Sequence, residues 1–324
     1  MGRYLLRRLL INIPVLISVT IIIFALTELA PGDVTDFFIN PELEMTPADM
    51  EQLRIRLGLD APAPVRYLRW LNQVLHGNLG YRFKNGDDVA WIIGRRLQAT
   101  LILIGAALLF GTLIGIALGV FTALRQYSLW DFALTGLSFV GISMPAFISG
   151  IFGLYFFSVR LKLFPSGGMW TIGRDHSVGD LLYHLVLPAS TLSLAYIATY
   201  MRYTRFSMLE VIRQDYITTA RAKGLPERIV ILRHALRNAI LPVVTIIGLS
   251  IPNLVVGAVF IETIYSWPGM GSLYLDAVLS RDYPLIMGIN LVSAVVILTA
   301  NLLTDIFYSV VDPRIRYDEG GSRG

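Results

Sequence analysis

The chain has 324 residues, 55% of them hydrophobic and 15% charged, with a formal charge of +4 and no cysteine. A soluble domain carries roughly 25% charged residues, so water is not the main solvent of this chain, and the lack of cysteine excludes disulfides, thiolate chemistry and cysteine metal sites. His76, His176, His184 and His234 are scattered at spacings that match no metal motif, and the basic excess fits a membrane charge bias better than a nucleic-acid footprint.

Arg3, Arg7 and Arg8 precede an apolar run over residues 9–29, the first expected membrane span, with its N-terminal side in the cytoplasm. A cleaved secretory signal would have a shorter apolar core, about 7–15 residues, and a small residue three before the cut. Glu28 holds that place for a cut after Ala30, so the run reads as an uncleaved span. Residues 31–97 are too long for a plain connection and predict a small helical insertion on the outer face. Thr46-Pro47-Ala48-Asp49 reads as a helix start, with a threonine cap, proline at the first helical position and an acid in the first turn. That helix is expected to stop at Gly58. A second is expected over residues 64–76, with Tyr67, Leu68, Trp70, Leu71 and Leu75 on its apolar face and Gly77 and Gly80 closing it. The insertion is either a packing cap over a groove or a docking surface for an external partner.

Five further spans are expected over residues 99–123, 132–159, 186–201, 239–261 and 285–311, which returns the chain to the cytoplasmic side. Charge agrees: Arg125, Arg202, Arg205, Arg213, Arg221, Lys223, Arg228, Arg233, Arg237, Arg314 and Arg316 fall inside, whereas the short outer loops hold Arg160, Lys162, Arg174 and Arg281. In the second span Gly111, Gly115 and Gly119, four apart, make a smooth stripe where another helix can come close. Pro145 in the third span, and Pro242 with Pro252 in the fifth, each remove an amide hydrogen bond and bend the helix. Ionisable groups at membrane depth are few: Glu28 and Glu262 near outer span ends, where they reach headgroups or a neighbouring helix end, and Asp305 near an inner one. Asn253, Asn290 and Asn301 lie deeper, and Asn253 is the candidate polar group of a pathway. No chain of buried carboxylates suggests a proton-driven pump, and no pair of half-length broken spans suggests an ion-coupled site.

Residues 202–238 stand apart as a basic, polar and helix-prone stretch between two spans. A helix is expected over residues 205–222, ended by Gly224, with Pro226 and Glu227 opening a second. Arg213, Ile217, Ala220 and Gly224 then share one stripe of the first helix. Small side chains near its end, Ala222 among them, let a partner's surface come close. Attraction to anionic lipid is the alternative reading, but it needs no tight turn flanked by small residues.

Thr218-Thr219-Ala220-Arg221-Ala222-Lys223-Gly224 resembles the EAA loop of ABC importer permeases, the coupling helix that seats in a cleft of the ATPase subunit. The general pattern is Glu-Ala-Ala, three residues, Gly, nine residues, then Ile-x-Leu-Pro. It is kept at Ala220 and Gly224 and departs at Thr218, Thr219, His234 and Leu236-Arg237. Asp215-Tyr216-Ile217, Thr219 to Leu225 and His234-Ala235-Leu236-Arg237-Asn238-Ala239 are similar to the variant found in dipeptide and oligopeptide permeases. The resemblance continues through Arg7-Arg8-Leu9, Ala30-Pro31-Gly32-Asp33, Leu57-Gly58-Leu59-Asp60, Pro165-Ser166-Gly167-Gly168, Trp267-Pro268-Gly269-Met270-Gly271, Arg281-Asp282-Tyr283-Pro284 and Asp312-Pro313-Arg314-Ile315-Arg316, and is to the B-type subunit. Gly77-Asn78-Leu79-Gly80 departs from it, with Asn78 where an acid is usual.

The resemblance implies an all-α integral membrane protein with the type I ABC importer permease fold: six transmembrane helices, a small helical external insertion and a cytoplasmic coupling helix. The divisions are residues 1–30, 31–96, a core over 97–311 with the coupling module at 202–238, and a tail over 312–324. It implies a transport subunit rather than an enzyme, in a prokaryotic cell membrane with both termini cytoplasmic. The implied role is half of a heterodimeric pathway for peptides. Partners are a second permease subunit, two ATPase subunits, an extracytoplasmic substrate-binding protein and the membrane lipid, with no nucleic acid. Nickel complexes, glutathione or oligosaccharides are alternative cargoes of the same machinery. A secondary transporter or a structural membrane subunit is the alternative of a different class. The chain has no Gly-x-x-x-x-Gly-Lys-Ser/Thr phosphate loop, so ATP and Mg are expected on the ATPase subunits, with no cofactor, metal or catalytic residue here. Arg213, Ile217, Ala220, Ala222 and Gly224 are the expected coupling residues. Glu262, Trp267, Pro268, Gly269 and Gly271 are the expected external gate or binding-protein contact.

Overall fold

Where lipid offers no hydrogen-bond partner, an apolar run must pair its backbone within itself, which a helix does. The computed structural model describes residues 2–29, 51–52, 55 and 60–311, without the side chains of residues 2–7, 9, 251–257, 305 and 307–311. The helices are α1 (Gly2–Leu29), α2 (Ala63–Leu75), α3 (Val89–Leu124), α4 (Leu129–Ser143), α5 (Ala146–Gly153, continued as a π-helix over Leu154–Arg160), α6 (Val178–Ile212) and α7 (Asp215–Ala222). A turn at Glu227–Ile229 and a π-helical stretch, Val230–Ala235, lead into α8 (Leu236–Ile264), followed by α9 (Met270–Leu279) and α10 (Tyr283–Val311). Five helices among the described residues are long and apolar enough to cross a membrane, and a sixth crossing results if α4 and α5 are one bent span. The expected helix start at Thr46 and the motif at residues 312–316 lie outside the described residues.

One expected limit is corrected, and one expected bend is present. The fourth span is far longer than residues 186–201: α6 starts at Val178, where the Ser177 side chain accepts from Asp180 N at 3.2 Å, and the helix holds Pro188 inside it and runs on through Arg202 and Arg205. The third span is a helix pair bent by 107°. The cause is Pro145, which has no amide to donate and pushes Met144 into an extended conformation (φ −81°, ψ 120°).

The chain forms two compact units, Met1–Gln98 with Ser272–Leu298, and Ala99–Gly271 with Thr299–Gly324. In the first, α2 lies against α1: the Tyr67 and Thr20 hydroxyls are 2.9 Å apart, Phe24 meets Tyr67 edge-on, and Glu28 pairs with Arg66. Tyr67, Trp70 and Leu71 of the expected apolar face are half-buried, but Leu68 and Leu75 are 61% and 77% exposed and belong to the outer side. The same unit holds a charged knot. Arg82 donates from Nε to Asp282 at 3.0 Å and from a terminal nitrogen to Asp276 at 2.9 Å. Burial alone lowers the Arg82 pKa, but the hydrogen bonds to Asp282 and Asp276 outweigh it and raise the pKa above the ordinary arginine value. Asp282 also accepts from Phe83 N at 3.3 Å, which ties the loop after α2 to the start of α10.

The second unit is built on the glycine stripe of α3. A Cβ at Gly111, Gly115 or Gly119 would lie 2.8, 2.8 or 2.5 Å from the Cβ of Tyr196, Tyr200 or Thr204 on α6. Both helices repeat at four residues, so the backbones meet along a row where only glycine fits. Ala99, Leu103, Ala107, Leu187, Leu192, Ala258, Ile261 and Trp267 join α3, α6 and α8 in one apolar core.

Candidate functional site

The polar module between α6 and α8 is anchored by a core of its own. Met208 of α6, Ile217 and Ala220 of α7, and Val230, Ala235 and Ala239 close over Ala123 at the end of α3. The expected single helix over residues 205–222 is broken instead. Arg213 ends α6, and Gln214 turns extended (φ −77°, ψ 148°) before α7 begins. The reason is geometric. Nine residues at about 100° each would put Ile217 half a turn away from Met208 on one continuous helix. The break lets both side chains enter the same core, where each is 0% exposed.

The expected stripe is therefore split. Arg213 stands before the break. Ile217 and Ala220 face the chain's own interior, so they position the helix and leave no side-chain surface for a partner. The open face of the module is Thr218, Thr219, Arg221, Ala222, Lys223 and Gly224. Gly224 ends α7 as expected: its φ is +76°, and a Cβ there would meet nothing within 4 Å. Arg221 spans the turn to Glu227 with contacts of 2.7 and 3.2 Å, and that pairing raises the arginine pKa above its ordinary value. Among the described residues Arg213, Lys223, Arg228, Arg233 and Arg237 make no ion pair, so they supply uncommitted positive charge to the module.

Residues 262–271 form an internal staple rather than a surface. Glu262 is 0% exposed; Oε1 accepts from the Thr100 hydroxyl at 2.6 Å and Oε2 from Gly271 N at 2.7 Å. The carboxyl group thus sits at the first turn of α9, where unpaired amides favour negative charge. Thr100 Oγ1 accepts from Met270 N at 2.7 Å, and the fully buried Trp267 indole donates to Ala99 O at 2.9 Å. A Cβ at Gly269 would collide with the Glu262 carboxyl, and one at Gly271 would lie 2.6 Å from Val259 Cα. The expected contact with an external partner is corrected accordingly. Glu262, Trp267, Gly269 and Gly271 are buried and Pro268 is half-buried, so these residues offer a partner little to touch in this conformation.

The side chain of Asn253 lies outside the described residues. Asn290 donates to Ile286 O of its own helix at 2.9 Å. Sequence reasoning missed the ion pair between Arg205 of α6 and Asp131 of α4, in which Nε and a terminal nitrogen reach separate carboxylate oxygens at 2.7 and 2.8 Å. Asp131 drew no notice in the sequence, and Arg205 read only as a topology charge.

The chain is similar to known proteins over most of its length. A family described as "Binding-protein-dependent transport system inner membrane component" matches residues 115–317, and its N-terminal counterpart matches residues 1–104. The chain is 50% identical over 317 residues to a putative peptide permease protein of Brucella suis, covering 98% of this chain and 99% of the relative. It is 42% identical to the oligopeptide transport system permease protein AppB of Bacillus subtilis, covering 98% and 100%. It is 40% identical to the dipeptide transport system permease protein DppB of Escherichia coli K12, covering 98% and 99%. Among solved structures, a chain of the MetNI methionine ABC transporter in inward-facing conformations is similar in fold, with a TM-score of 0.54, 16% identity and coverage of 68% of this chain and 97% of that one.

Proposed function

We propose, because this chain belongs to the family of inner membrane components of binding-protein-dependent transport systems, that it forms half of an ATP-driven pathway for peptides. The chain is a multi-pass membrane permease subunit and not an enzyme; the ATPase and substrate-binding components of such an importer are separate subunits. The cargo reading rests on the relatives named as peptide, oligopeptide and dipeptide permeases. In this reading the other half of the pathway is a second, non-identical permease. ATP and Mg are held by two ATPase subunits, and both termini of this chain are cytoplasmic, the side favoured by its arginines.

The observation that carries the mechanism is the α7 module. Its inner face is locked to the chain by Ile217 and Ala220, while its outer face presents small and basic side chains around the Gly224 turn. ATP binding that draws the two ATPases together would move α7, and the helices packed on it would follow as rigid bodies between two access states. Residues 31–96 form the external insertion in this scheme and residues 97–311 the core. The residue 262–271 staple would then hold the outer ends of α3, α8 and α9 together rather than meet the binding protein.

In proteoliposomes holding both permeases, the ATPases and the binding protein, a labelled di- or tripeptide is expected to accumulate only when ATP is supplied on the ATPase side. Uptake driven by an ion gradient without ATP would point to a secondary transporter instead.

A further inference from the structure

The geometry points to Asp131 and Arg205 as positioning residues that carry the displacement of α7 into the bent helix pair α4–α5, an inference that rests on the α7 reading above. Three consecutive parts of α6 engage three different elements. Thr204 meets α3 at Gly119, Arg205 holds Asp131 of α4, and Met208 enters the core that seats Ile217 and Ala220 of α7. A push on α7 therefore arrives at the stretch of α6 that is ion-paired to α4.

The Arg205–Asp131 link is two-pronged and held in plane by the guanidinium fork, so it resists rotation as well as separation. The Asp131 side chain is 4% exposed and does more than pair. It accepts from Tyr127 N at 3.0 Å, fixing a residue at φ +65° in the turn between α3 and α4, and from Thr135 at 3.4 Å. One carboxylate thus joins the end of α3, the start of α4 and the α6 segment beside α7. Beyond it α4 runs without a break to Ser143, where the 107° bend begins. Arg202, one turn earlier on α6, provides a built-in contrast. Its guanidinium lies over the Phe139 ring at 5.4 Å, and it makes no ion pair among the described residues.

The chain has no native cysteine, so spin labels can be placed singly. Exposed Leu137 on α4 and Phe206 on α6 are suitable sites. The test uses the full complex in lipid nanodiscs, with label distances read without nucleotide and after trapping with ATP and vanadate. With the pair intact the Leu137–Phe206 distance is expected to stay the same in both states. Asp131→Asn and Arg205→Gln should each let it shift by about 2 Å or more on trapping, the scale of helix slippage at an interface. The swap Asp131→Arg with Arg205→Asp should restore most of the constancy, and Arg202→Gln should leave it untouched. An unshifted distance in Asp131→Asn, with the ATPase subunits still bound and hydrolysing ATP, overturns the inference while leaving the α7 reading in place. Retention of the ATPases by Ala222→Trp would overturn the α7 reading itself, and the inference with it.

Discussion

Replacing Glu262 by alanine is expected to lower the melting temperature of the detergent-solubilised chain by on the order of 10 °C. The loss strands groups that water cannot reach. Thr100 and Gly271 each donate to this carboxyl, and Glu262 itself is 0% exposed. A buried donor left without a partner costs about 1–3 kcal/mol, and two are stranded here. Alanine also leaves a void below Gly269, whose lack of a side chain is what admits the carboxyl. Glu262→Gln should be much milder, lowering the melting temperature by only a few degrees. Its amide oxygen can still accept from Gly271 N, and its amide nitrogen can donate to the Thr100 oxygen. A differential scanning fluorimetry series on the two variants separates the outcomes. Equal and small shifts would show that the cluster does not hold the ends of α3, α8 and α9.

Gly224→Asn is expected to leave expression, insertion and melting temperature close to wild type and yet to lower peptide uptake per ATP hydrolysed about tenfold. Gly224 has φ +76°, a conformation asparagine adopts at small cost. Among the described residues nothing lies within 4 Å of the added Cβ, and Gly224 is exposed, so the side chain can point away from the chain. Any penalty then comes from a surface supplied by another subunit. Wedging a docked turn apart by one side chain forfeits on the order of 1–2 kcal/mol of contact, and 1.4 kcal/mol is a factor of ten. Gly86 is the control: it also has positive φ (+73°) and open space around its Cβ, but it sits in the loop before α3. Gly86→Asn should transport normally. Wild-type coupling in Gly224→Asn, measured as peptide uptake against phosphate release in the same vesicles, would remove the turn from the ATPase contact.

What the sequence made legible follows from local chemistry. The apolar runs announce the spans, Pro145 announces the bend, and Gly224 followed by Pro226 announces the end of one helix and the start of the next turn. The glycine row at 111, 115 and 119 announces a close helix neighbour, though not that the neighbour would be Tyr196, Tyr200 and Thr204. What stayed hidden depends on distant residues. No proline or glycine marks the break at Arg213 and Gln214; it exists because Met208 and Ile217 must share a core with Ala123 and Val230. Ile217 and Ala220 therefore read as part of an outward stripe when they are anchors. Glu262 looks like a span-end acid until Thr100, 162 residues away, is seen to donate to it. Asp131 and Arg205 are 74 residues apart, and each has an ordinary local explanation that conceals the pair. Leu68 and Leu75 extend the apolar pattern of α2, but the contact with α1 is made around Tyr67, so both remain outside it.

In the proposed scheme α7 docks on the ATPase through its open face while its other face belongs to this chain. Site-specific photocrosslinking in native membranes tests it most directly. A benzophenone amino acid is placed in turn at Thr219, Ala222 and Ile217 of the co-expressed complex. Positions 219 and 222, which are exposed, should yield an adduct with the ATPase subunit, and position 217, which is 0% exposed, should yield none. No ATPase adduct at 219 or 222, or an equal yield at 217, would contradict the account.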